Sequence, residues 1–478
     1  MFPLAVLIWA FLQGANPVAP LLQRAKQDFE SGRYSEARAE LQQALKLAPQ
    51  DPAIWSKLGL TEYKLNDSEA AVADLEKARA LDPRNAQNYF NLGMLYHQGG
   101  EMAKALEDYR QGLVLAPDDS AANESYAHLL MEAHQYREAI APLQKLKRNS
   151  PSNSSFRLAL VESYLKAGLN DQGGEEIQEF AKAPNCSTHD QIDLAKLLVE
   201  NKKPDAARWV FEQVLQSAPD LAEAHAGLGM VWMDMGRYKD AGKELGRAVQ
   251  LSPDSVEYSL QYTDALLLSK QYPAALDFLK SVKDRFGKLP AYRYKVGLAY
   301  YGASQFPAAI DELEALVGDY PNLDRAHYFL GHSYSATGDF KNAEIHYRKA
   351  LALNPQDASY YAALGHVLRR DNDAVTDEAI GYLEKALKLD PSDTSSKQDL
   401  ALCYEKKGRY PEAERLLEDV VRAQPRLLAS HRMLARVYYR QGKKEQGDRE
   451  TALAAKLESE QRRPRTPMND SSSPPSHQ

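Results

Sequence analysis

The chain has 478 residues, 44% of them hydrophobic and 26% charged, with 59 Lys and Arg against 66 Asp and Glu and a net charge of −7. That balance excludes a wholly disordered chain and argues against a strongly cationic nucleic-acid binder. Its two cysteines, Cys186 and Cys403, are too few for a disulfide framework or a four-thiolate zinc site.

At the amino terminus, residues 2–12 (FPLAVLIWAFL) form an apolar run about as long as a signal-peptide core and far short of the ~20 residues that span a bilayer. Small and turn-forming residues follow at Gly14, Ala15, Asn16 and Pro17, so residues 1–17 are expected to be an export signal cut near Ala15. The segment before the run carries no Lys or Arg, and two other readings stand beside this one. It is an apolar cap on the first structural unit, or an uncleaved anchor, which is the one expected route to a membrane. Export would place the protein in the periplasm or outside the cell; a mature chain starting at Met1 would be cytoplasmic.

From residue 18 a period takes over. Prolines at 49, 83, 117, 151, 219, 253, 321 and 355 are separated by multiples of 34. With Pro as position 32, thirteen units fill residues 18–461, twelve of 34 residues and one (358–393) of 36, its two extra residues near Asp371-Asn372-Asp373. Position 20 is Ala or Gly in every unit, from Ala37 to Gly447, and position 8 is Ala or Gly in all but Val161 and Thr263. Small residues at two fixed points predict two helices crossing closely, at ~8–10 Å between axes. Mid-unit turns such as Gly32-Arg33-Tyr34 and Gly338-Asp339-Phe340 separate the helices, because Gly takes the left-handed conformation that ends a helix.

This pattern resembles the tetratricopeptide repeat, carried by Trp55, Leu58-Gly59, Ala71 and Pro83, and by Tyr89, Leu92-Gly93, Tyr96, Ala105 and Pro117. The resemblance implies an all-α fold, an α-solenoid built as a right-handed superhelix of antiparallel helix pairs. Repeat five, with Gly173-Gly174 and Pro184-Asn185-Cys186-Ser187, is expected to form a joint near 171–190. The polar second helix of the last repeat suits a terminal cap, and residues 462–478, rich in Pro and Ser, are expected to be a disordered tail.

No phosphate-binding, zinc-protease, nucleophile-elbow or Cys-x-x-Cys motif is present, so the chain is expected to be non-catalytic, with no cofactor, no metal, no small-molecule substrate and no nucleic acid. His332 and His366 share position 9 in adjacent repeats, where a metal site, a polar groove contact and a plain surface role all remain open.

The family lines its concave face with positions 2, 5, 6, 9, 12 and 13 of each first helix, which implies a peptide-binding groove. Mapped onto this chain, that groove holds Tyr63, Phe90, His97, Met230, Met233, Tyr294, Tyr301 and Tyr328, and then His332, His366, Arg369, Arg432, Arg436 and Tyr439. Aromatic and Met side chains suit an apolar peptide; Arg432, Arg436 and Arg440 share one helix face and suit either an acidic or phosphorylated segment or plain solvent. The family's chaperone clamp needs Lys at 5 and Asn at 9, which no repeat has, and its asparagine ladder fails because only Asn91 fills position 6 with Asn.

The expected function is therefore a scaffold gripping peptide segments of other proteins, with bacterial cell-envelope assembly or secretion as the setting if the export signal operates. The alternative is a cytoplasmic regulatory or co-chaperone-like module that captures an acidic or phosphorylated partner at its basic carboxyl-terminal end.

Overall fold

The computed structural model describes residues 17–371 and 377–462. The expected export signal, the enlarged turn of repeat eleven from residue 372 and the expected tail lie outside them, apart from their border residues. Among the described residues there are twenty-six helices, two for each predicted repeat. The first pair, Ala19–Glu30 and Tyr34–Leu47, sets the pattern that runs to the last, Leu428–Arg440 and Lys444–Arg462.

The local chemistry of each start is visible. In the residue just before a first helix, Asp51, Asn85, Asp119, Asn153, Ser187 and Asp393 accept a hydrogen bond from an amide of the first turn, which satisfies one of its orphan donors. Each described turn between paired helices holds one residue at positive φ. Seven of these are Gly; the other five are Asn66, His134, Lys202, Lys270 and Ser304, at φ between 55° and 61°. The turn geometry thus persists where its preferred residue is missing, because the packed helices on either side enforce it.

Two ties join consecutive repeats. The side chain at position 4 donates to the carbonyl of the proline six residues before it: Trp55 to Pro49 at 2.9 Å, Tyr89 to Pro83 at 3.2 Å, Asn123 to Pro117 at 2.9 Å and Tyr361 to Pro355 at 3.2 Å. His225, His327 and His431 hold Pro219, Pro321 and Pro425 in the same way, at 2.9–3.0 Å. Further along the helix, Tyr at position 11 meets position 25 of the preceding repeat. Tyr96 donates to Glu76 at 2.7 Å, Tyr404 to Glu384 at 2.5 Å and Tyr438 to Glu418 at 2.9 Å; Tyr334 reaches Glu314, and Tyr164 accepts from Gln144.

The small residues do what their spacing predicts. A Cβ on Gly59, Gly93, Gly297, Gly331 or Gly365 would fall 2.6–2.8 Å from a buried Leu or Tyr of the paired helix. Position 20 is fully buried from Ala37 through Ala413 wherever it is alanine.

The described residues divide between Met235 and Gly236 into two compact units, each a stack of these hairpins, and the boundary falls in the turn of repeat seven. In the region around 171–190, Asn170–Ala181 is a regular helix and residues 182–187 connect it to Thr188–Glu200. A reciprocal Ser187–Asp190 cap starts that next helix. The Cys186 and Cys403 thiols are both pushed up to about 11 by burial, which leaves neither as a thiolate near neutral pH.

Candidate functional site

In the unit 1–235 the first helices Pro52–Lys64 and Ala86–Gln98 carry three of the expected groove residues. Tyr63 is half-buried and its hydroxyl accepts from Gln98 at 3.0 Å; His97 meets Glu132 at 3.0 Å. Both bonds run from position 12 to position 13 of the next repeat. Phe90 is a correction: it is 7% exposed and belongs to the core. The reason lies opposite it, where Gly112 has no side chain and the Phe90 ring fills the space, stacked at 6.0 Å on Tyr109. Met230 is 37% exposed and Met233 half-buried, both on Ala222–Asp234.

In the unit 236–478 the first helices of repeats nine to thirteen, Pro290–Gly302, Asp324–Thr337, Ala358–Asp371, Thr394–Lys406 and Leu428–Arg440, carry the rest, which fall into an aromatic group and an ionic group. The first is aromatic. Tyr294 and Tyr301 meet Phe329 edge-on, at 6.2 and 5.7 Å between ring centroids. His332 lies among four rings, T-shaped to Tyr328 at 4.4 Å and to Tyr347 at 5.3 Å, with Tyr301 and Phe329 at 6.1 and 6.2 Å. Tyr328 also faces Tyr360 at 5.0 Å. Burial holds the His332 imidazole down to about 4, with His366 adding like-charge repulsion, so at neutral pH it is an uncharged ring among rings. Burial likewise pushes the Tyr294 hydroxyl up to about 12.

The second cluster is ionic, with its charges paired inside the chain. Asp399 accepts from His366 at 2.6 Å through one carboxylate oxygen and from Arg369 at 2.8 Å through the other. In the last repeat Arg436 forks onto Glu405 at 2.5 and 2.7 Å, and Arg432 reaches Glu458 at 2.7 Å. Tyr439, 44% exposed, packs over Gly447 and donates to Asp448 at 2.8 Å. Arg369, and two of the three arginines expected to catch an anion, Arg432 and Arg436, thus already hold carboxylates of the chain itself. No group of three or more His, Cys, Asp and Glu side chains among the described residues could hold a metal ion.

Sequence reasoning missed Phe329 and Asp399, which both occupy position 6, one of the lining positions, and so were open to it. It also missed Tyr347 and Tyr360, which come from core positions and show their aromatic partners only once the helices are packed. Chemically the first cluster offers half-buried ring edges and faces, which suits contact with apolar and aromatic side chains.

Models of the tetratricopeptide repeat match residues 25–66, 56–120, 192–256, 233–296, 291–323, 324–357, 358–393 and 376–437, together more than half of the chain. The chain is 24% identical over 277 residues to the Protein CTR9 homolog of Arabidopsis thaliana, covering 56% of this chain and 25% of that protein. It is 25% identical over 425 residues to Cellulose synthase operon protein C of Xanthomonas axonopodis pv. citri, covering 87% of this chain and 26% of that protein. The chain therefore spans about a quarter of the length of each of these relatives. Among solved structures, that of Naa15/Naa10 bound to HypK-THB matches with 14% identity and a TM-score of 0.46, over 93% of this chain and 78% of that one.

Proposed function

Because the chain belongs to the tetratricopeptide-repeat proteins, we propose that it is a non-catalytic scaffold that binds peptide segments of other proteins along its first-helix face. The observation that carries this is the partly exposed aromatic surface of repeats nine and ten, built from Tyr294, Tyr301, Tyr328, Phe329 and His332. Rigid rings give large contact area at little entropic cost, so this surface is the place for an apolar or aromatic anchor residue. For the setting we take the cell envelope, supported by the apolar run at residues 2–12 and by likeness to a cellulose synthase operon protein. The alternative, capture of an acidic partner by the carboxyl-terminal arginines, is weakened by the carboxylates that Arg432 and Arg436 already hold.

The test is a random-peptide display screen against the intact chain, with affinities of the selected peptides then measured on a folded Tyr301→Ala, Phe329→Ala variant. Peptides with aromatic or large aliphatic anchors should be selected and should bind the variant at least tenfold more weakly. Equal binding to both would move the site elsewhere. Sequencing the amino terminus of the native protein tests the envelope assignment separately.

A further inference from the structure

The tie between position 25 and the next repeat's position 11 is broken by sequence at one informative place. Between the second helix of repeat seven (Tyr238–Leu251) and the first helix of repeat eight (Val256–Leu268), those positions hold Gly246 and Leu266. Position 21 of the same helix is Gly242, and repeat seven alone among the thirteen has Gly at both positions. Where repeats two, nine, eleven and twelve place a Glu that meets a Tyr, this junction has no such bond: the Tyr262 ring leans toward Gly246, 3.2 Å from where a Cβ would stand, and the space beside Gly242 is bare. The result is a cleft of about 570 Å³.

Its walls have one charge sign. Lys239, Lys243 and Arg247 line it, spaced i, i+4, i+8 and so one helical turn apart on one face, and none of its described lining residues is acidic. Lys239 is exposed. Lys243 lies 3.3 Å from Asp240, but that carboxylate is held more closely by Arg237, at 2.6 Å. Arg247 is exposed and reaches Gln250 at 3.3 Å. The floor is apolar, with Tyr262 and Leu266 lying beyond the two glycines. Gly242 has nothing within 4 Å of where a Cβ would stand, so a visiting backbone can approach this helix closely.

We propose that this cleft is a second docking site, separate from the aromatic surface, and that its occupant is an acidic peptide segment of a partner protein. Carboxylates about 6 Å apart, as at i and i+4 of a helix, match the lysine spacing. A small or aliphatic side chain between them meets Tyr262 and Leu266. Because the rim cations are exposed, the attraction is salt-sensitive.

The probe is a fluorescein-labelled 18-residue peptide with Glu at every fourth position and Ala and Leu between, titrated by anisotropy against the full chain at about 50 mM NaCl. Its control has Gln in place of Glu. The Glu peptide should bind, and the Gln peptide should bind at least tenfold more weakly. Lys239→Glu with Lys243→Glu, both exposed and safe for folding, should weaken binding at least tenfold. Gly246→Gln, which supplies the filler that Gln144 provides in repeat four, should do the same without adding charge. Tyr301→Ala with Phe329→Ala should leave it unchanged, so failure here and failure of the groove reading are told apart. Unchanged affinity in either cleft variant, equal binding of the Gln peptide, or tighter binding of oligo-dT or of phosphatidylglycerol vesicles with the same variant dependence would each overturn the assignment.

Discussion

The same substitution, Gly to Ala, should act with opposite sign at two helical positions of one unit. At Gly331 a Cβ would stand 2.7, 2.8 and 3.1 Å from Cε1, Cδ1 and Cζ of Tyr347, a ring that is only 2% exposed. Ordinary carbon contacts lie at about 3.5–4.0 Å, so the ring must retreat by roughly 1 Å into Tyr328 and His332. At Gly381 nothing lies within 4 Å of the Cβ site and the residue faces solvent. Both changes gain the helix propensity of Ala, about 0.5–1 kcal/mol, and only Gly331→Ala adds an overpacking cost of about 1–3 kcal/mol. Gly381→Ala should therefore stabilise. The difference between the two variants should be about 1–3 kcal/mol, since the propensity gain cancels. Urea unfolding followed by circular dichroism measures it, and hydrogen exchange in Asp324–Thr337 and Phe340–Leu353 should loosen only in Gly331→Ala, because stacked repeats open regionally. Two variants of equal stability within about 0.5 kcal/mol would refute the claim that small position-8 residues set the helix contact.

Asn88 is fully buried with neither amide atom hydrogen-bonded, at a position where repeat two buries Ile54, so Asn88→Leu should raise the urea midpoint by the equivalent of about 1–3 kcal/mol; a lower midpoint would show that the amide has a partner. His332 and His346 are both held down to about 4, mainly by burial, against 6.5 for an ordinary histidine. The unfolded chain therefore takes up protons first. Their stabilising effect is complete above about pH 6.5 and is lost progressively as pH falls toward 4. For these partly exposed rings the loss at pH 5 should be about 1 kcal/mol each, and a His332→Phe, His346→Phe variant should lose correspondingly less between pH 7.5 and 5 than its parent. Equal losses in the two proteins would contradict neutral burial.

The fold was legible because its constraints are local and repeated. Positions 8 and 20 declare a close helix crossing in one repeat after another, and Gly331 against Tyr347 shows the steric reason. The site was legible only in part. The burial of Phe90 depends on an absent side chain at Gly112, twenty-two residues away on the paired helix, so an aromatic at a lining position read as surface. The carboxylates that satisfy Arg369, Arg432 and Arg436 sit 26–31 residues away along the chain, and a basic stripe on one helix gives no sign of them. The five non-glycine residues at positive φ were likewise hidden, since neighbouring helices and not the residue itself impose that conformation.

The bond from position 4 back to a proline carbonyl accepts indole, phenol, carboxamide and imidazole donors alike, always across six residues. Its information content is therefore an offset and a donor, with no particular side chain required. A gene deletion or duplication of 34 codons whose ends fall between a proline and its donor rebuilds the same bond from a proline and a donor that had never been neighbours. A loss or gain that changes the six-residue offset between the proline and its donor breaks it. The chain can thus change length across generations in whole repeats, with position 4 drifting among side chains that can donate.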